Sequence, residues 1–155
     1  MHILEHGQGQ EKTLLFLPCT AEPVWAFEKT VALLAQSWHV FQVVYDGHEP
    51  SYPGDFTSVE QTVDEITGYL RAHGVTCLDA AYGNYVLPKT PAKIGTKITY
   101  WYGDEEKKNR RSNIRFIKHY FPQARIHGIP KMAHAELVMI YPEEFCRYFD
   151  KFMCR

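Results

Sequence analysis

The chain has 155 residues, of which 45% are hydrophobic and 14% aromatic, with a formal net charge of −1. That length suits one ordinary domain with one core, and the apolar share excludes a largely disordered chain. The near-neutral charge gives no electrostatic case for a nucleic acid or an anionic membrane as partner.

"HILEHG" near the start reads as an antiparallel edge strand, turned by "GQGQ". "TLLFLP" (Thr13 to Pro18) is a short apolar run stopped by proline, the pattern of a buried strand. Trp25, Val31, Leu34 and Trp38 then recur at helical spacing, with Thr20 or Glu22 near the helix start. "WHVFQVVYDG" (Trp38 to Gly47) is β-branched and aromatic, a second buried strand. After a Pro- and Gly-rich loop, Ser58 with Gln61, or Thr57 with Glu60, offers a capping box. The helix behind it carries Val59, Val63, Ile66 and Leu70 on one stripe and ends at Gly74.

"VTCLDAAYG" (Val75 to Gly83) and "TKITYWYG" (Thr96 to Gly103) predict a third and a fourth strand. The basic run "KKNRR" reads as a solvated helix start. A helix from about Lys108 to Tyr120 follows, packing through Ile114, Ile117 and Phe121 and closed by Pro122. "ARIHGIP" is a fifth strand. Pro142 opens a last helix striped by Phe145, Tyr148, Phe149 and Phe152. Alternating strands and helices predict an α/β fold: a three-layer α/β/α sandwich on a mostly parallel sheet of about five strands. Chemistry in such folds gathers at the carboxyl ends of the strands.

One join breaks the rhythm. Parallel neighbours need a crossover of about a dozen residues or more, usually helical. Between Gly83 and Thr96 stands "NYVLPKTPAKIG", in which Pro88 and Pro91 exclude a regular helix.

The residues after each strand resemble the α/β-hydrolase family in two blocks, roughly 13–83 and 91–153. "TLLFLPCT" resembles the strand and turn supplying the oxyanion hole, and "VVYDGHEPS" the next strand and its loop. "VTCLDAAYG" looks like the strand entering the nucleophile elbow. "PAKIGTKITYWYGDEE" resembles the strand whose tip holds the triad acid, and "IHGIPKMAHAELVMIYPEEFCRYFDKF" the histidine loop and final helix. The resemblance implies a single truncated domain over residues 1–155. His134 would be the general base and Asp104 the acid that orients it, with Glu105 and Glu106 competing for that role. The backbone N–H groups of Cys19 and Thr20 would form part of the oxyanion hole.

The departure from the family lies in the elbow motif, G-x-S-x-G. Gly83 and Asn84 match its first two positions. Tyr85 stands where serine belongs, and Val86 and Leu87 follow, so the second glycine is missing as well. The following helix, the next strand and any cap have no counterpart, which implies an internal deletion, or an omitted stretch of chain, near 84–91. None of Ser37, Ser51, Ser58 and Ser112 occupies an elbow. Cys19 as a thiol nucleophile paired with His134 is a remote alternative, since a buried free thiol is commoner.

Two readings of function follow. One is a hydrolase of carboxylic esters or other acyl substrates with an incomplete triad. The other is a non-catalytic, reduced α/β scaffold or interaction protein, whose exposed sheet edges favour a homo-oligomer. No HExxH, paired-cysteine or glycine-rich phosphate motif is present, so no metal and no cofactor is expected. Asp46 and His48 read as a pair stabilising their loop. Cys19, Cys77, Cys146 and Cys154 show no CxxC spacing, and "MHILEHG" shows no hydrophobic leader; a reduced cytoplasmic protein is expected.

Overall fold

The computed structural model describes residues 1–18, 22–75, 79–81 and 97–153. The chain falls into two compact units, Met1–Asn84 and Tyr85–Arg155.

The first unit is built on four strands: β1 (His2–His6), β2 (Thr13–Phe16), β3 (His39–Val44) and β4 (Asp79–Ala81), in the order β1-β3-β2-β4. β2 runs parallel to both β3 and β4, while β1 is antiparallel to β3. β2 and β3 are largely apolar because both of their faces are covered, as buried parallel strands require, with Gln42 a buried polar residue inside β3. On one side Phe16 meets Phe27 edge-to-face at 5.2 Å, with Val31 and Leu34 of α1 (Glu28–Leu34) buried nearby in sequence. On the other, Leu15, Phe41 and Val43 cluster with Leu70, Ile66 and Tyr69 of α2 (Val59–Ala72).

The edge-strand expectation for "HILEHG" holds, but its partner is β3 and not the strand it precedes: His2 lies opposite Val44 and His6 opposite Val40. The turn after it places Gly7 at φ +67°, where a Cβ would overlap the carbonyls of Ala35 and Trp38. The helix expected from Trp25 onward begins instead as a 3-10 turn over Val24–Phe27. Three residues per turn rotate Trp25 off the α-helical stripe, and it is 72% exposed while Phe27 is buried. Ser58 is the N-cap of α2, its Oγ accepting from Gln61 N at 3.1 Å. The predicted stripe on α2 is buried only in its second half; Val59 and Val63 are exposed.

The second unit holds β5 (Thr99–Gly103) and β6 (Arg125–Ile129), paired in parallel with Gly103 opposite Ile129. α3 (Arg111–Tyr120) connects them, starting later than predicted because Asp104–Glu106 forms a 3-10 turn first. A four-residue helix, α4 (Glu136–Met139), precedes α5 (Pro142–Met153) and went unpredicted. The aromatic stripe of α5 packs on the strands: Trp101 lies 5.9 Å from Phe145, 6.2 Å from Tyr148 and 5.6 Å from Phe152.

The strands described therefore form two sheets, of four and two strands, where the sequence predicted one sheet of about five. Every pairing but β1–β3 is parallel. The join between β4 and β5, with the inferred deletion near 84–91, lies outside the described residues. Among the described residues, no helix is long and apolar enough to cross a membrane.

Candidate functional site

Because β5 and β6 are parallel and in register, their carboxyl tips lie side by side. The chain leaves β5 through Gly103 into Asp104-Glu105-Glu106 and leaves β6 through Pro130 into the loop Lys131-Met132-Ala133-His134. The two exits touch. A Cβ on Gly103 would overlap the Met132 carbonyl, so glycine is what lets the loop cross the strand end. Glu105 N donates to Met132 O at 3.3 Å.

Two carboxylates fix the loop further. Asp104 Oδ1 accepts from Lys131 N at 2.8 Å, and Glu136 Oε2 from Ala133 N at 2.7 Å. Lys131 and Ala135 both adopt φ of 58°, a conformation costly for non-glycine residues that the surrounding hydrogen bonds hold in place.

His134 projects from this braced loop with its side chain 66% exposed. The sequence assigned Asp104 to orient it. The structure brings Asp104 to the histidine loop but turns its carboxylate to the Lys131 backbone. The carboxylate beside the imidazole is that of Glu106, weighed earlier as a competitor; its Oε1 lies 3.3 Å from His134 Nδ1. Glu106 sits at the end of the 3-10 turn, and its longer side chain spans the distance to the ring.

Arg110 completes the group. Its Nη2 donates to Glu106 Oε1 at 2.7 Å and lies 2.5 Å from His134 Nδ1. Guanidinium nitrogens only donate and carboxylates only accept, so Nδ1 can serve Arg110 only as an acceptor and Glu106 only as a donor, and the ring tautomer selects between them. With Arg110 as the partner, the proton of a neutral ring resides on Nε2. A triad base needs the opposite arrangement, with Nδ1–H facing the acid and a free lone pair on Nε2. Sequence reasoning missed Arg110 by placing it in a solvated basic run. The available signal was the Glu106–Arg110 spacing of four, which puts both on one helical face.

Cys19, Thr20 and the Gly83-Asn84-Tyr85 stretch lie outside the described residues. Asp46 does not pair with His48. Its carboxylate instead receives the Met1 ammonium, at 2.6 Å to Oδ1 and 2.7 Å to Oδ2, and His48 packs edge-on against Tyr45. Among the described residues, no group of three or more His, Cys, Asp or Glu side chains is placed to hold a metal ion.

Comparison with known proteins sets this geometry in a fold. No family model matches the sequence, and no curated protein matches it. Among solved structures, the chain is similar to a predicted CIB-like hydrolase from Thermoplasma acidophilum. The TM-score is 0.67 at 13% identity, over 99% of this chain and 98% of that one. The chain has a hydrolase-like α/β fold. At that identity the likeness is one of fold alone, and fold does not carry chemistry with it.

Proposed function

We propose that this chain is a non-catalytic member of the hydrolase-like fold, a reduced α/β scaffold whose histidine loop is kept as a structural arm. One observation carries the reading: Arg110 Nη2 stands 2.5 Å from His134 Nδ1. A donor at that nitrogen puts the ring proton on Nε2, the atom that would have to accept a proton from a nucleophile. The sequence agrees, since Tyr85 occupies the elbow position of the missing serine.

A second reading, hydrolysis of carboxylic esters or other acyl substrates, is favoured by Glu106 Oε1 lying 3.3 Å from the same Nδ1. If Glu106 and not Arg110 held that nitrogen, the imidazole would have the tautomer of a general base. The 15N shifts of His134 at neutral pH separate the two. An Nε2–H tautomer is expected, and Arg110→Met is expected to move the proton toward Nδ1, facing Glu106. The full chain is expected to take up no fluorophosphonate label. Stoichiometric labelling of a serine, with His134-dependent ester hydrolysis, would establish the acyl hydrolase and end the scaffold proposal.

A further inference from the structure

Away from the histidine loop, the first unit contains a buried polar node that the proposed function does not use. Gln42 sits within β3, 2% exposed, flanked by Val and Phe in a strand that opens with His39. Its Oε1 lies 3.2 Å from His6 Nε2 of β1, which occupies one end of the amide. The other end, Nε2, is buried with no hydrogen-bond partner among the described residues. Glu22 Oε2 and His48 Nδ1 are buried and unpartnered in the same way. A buried donor or acceptor left unsatisfied is expensive, so three of them on residues that line one cavity call for a common explanation.

All three residues line a single small cavity at the carboxyl end of β3, together with Glu49 and the apolar Pro18, Val24 and Tyr45. The cavity measures about 10 Å³, which is the room needed by the centre of one water molecule. Its chemistry is equally restrictive. Gln42 Nε2 only donates, the Glu22 carboxylate only accepts, and His48 Nδ1 does either. An anion would face the carboxylate, and a cation would face the amide N–H. A ligand that accepts one hydrogen bond and donates two satisfies every group.

We propose that this cavity is a binding site for one long-lived internal water, held by Gln42, Glu22 and His48. The water accepts from Gln42 Nε2 and donates to Glu22 Oε2 and to His48 Nδ1. It thereby ties Glu22, which precedes the Val24–Phe27 turn, to the centre of β3 and to the loop behind it. A polar residue in the middle of an apolar strand is then the anchor of a structural solvent site.

Water-to-protein magnetisation transfer on the full chain tests this. The Gln42 side-chain amide protons are expected to show a cross-peak to water with the sign of a residence time longer than molecular tumbling. In Gln42→Met, which keeps the length and removes the donor, the corresponding long-lived water contact at the His48 ring is expected to vanish. Absence of the wild-type cross-peak, or a water contact at His48 unchanged in Gln42→Met, overturns the proposal. So does a crystal structure with Glu22 bonded directly to His48 across the cavity. The wild-type measurement decides the matter even if the variant does not fold.

Discussion

Arg110 shows how much a single donor changes the meaning of a histidine. That His134 stands between alanines in a loop after a strand was legible, and so was an acidic run after the neighbouring strand. Which carboxylate would reach the ring was not legible, because three acidic residues in succession differ only in where a 3-10 turn points them. Neither was the guanidinium, since it arrives from the N-cap of α3, beyond that turn. Cys146 makes the residue scale testable elsewhere. Burial in α5, reinforced by Asp150 and Glu143, pushes its thiol up to about 11. The reactive thiolate is then on the order of 10⁻³ of the population at pH 8. Alkylation of Cys146 by iodoacetamide at pH 8 should run at least tenfold slower than that of a model thiol. A rate equal to the model thiol would show that the surroundings do not suppress ionisation.

At the scale of elements, the apolar periodicities placed most helices and strands but left their ends and partners open. Two capping boxes were equally readable before α2, and only the backbone trajectory selects Ser58. Ser58→Ala should cost about 1 kcal/mol in urea unfolding, the usual worth of an N-cap. Thr57→Ala, which loses only an exposed contact with the Gln61 side chain, should be close to neutral. The reverse order would mean that the helix starts one residue earlier. The crossing at Gly103 is an element-level device too. A methyl there must displace the Met132 carbonyl, so Gly103→Ala should destabilise by about 1–3 kcal/mol. It should also shift the His134 ring resonances, because the loop bearing them moves. Unchanged stability and shifts would show that the loop is not pinned against the strand end.

For the molecule as a whole, the sensitive junction is Glu5, which links the edge strand to two other elements. Its carboxylate accepts from Tyr69 OH at 2.5 Å and lies 2.9 Å from His39 Nε2. The Tyr69 hydrogen bond, then that of His39, holds Glu5 below its usual range. The same bond, with burial, pushes Tyr69 up to about 12. A lowered acid contributes stability above its unfolded value and loses it as pH falls through the folded one. A raised phenol contributes below pH 10 and loses it as pH climbs from about 10 to about 12. Thermal midpoints should therefore fall away on both limbs. Tyr69→Phe should flatten both and lower stability near neutrality by roughly 1.5 kcal/mol, the low end for a hydrogen bond to a charged group. Identical pH profiles for the two proteins would remove Glu5 from this role.

The sequence alone determined that this is an alternating α/β chain, because buried parallel strands and one-sided helices leave periodicities of apolar residues that need no partner to be seen. It also showed that no serine follows Gly83-Asn84, where Tyr85 stands, since a motif is a matter of residue order. Tertiary structure decided the rest: that β1 joins β3, and that both Glu106 and Arg110 reach the imidazole of His134. These depend on distances of a few ångströms between segments far apart in the chain. Such distances come from how strands align and turns rotate their side chains, which one-dimensional patterns do not encode.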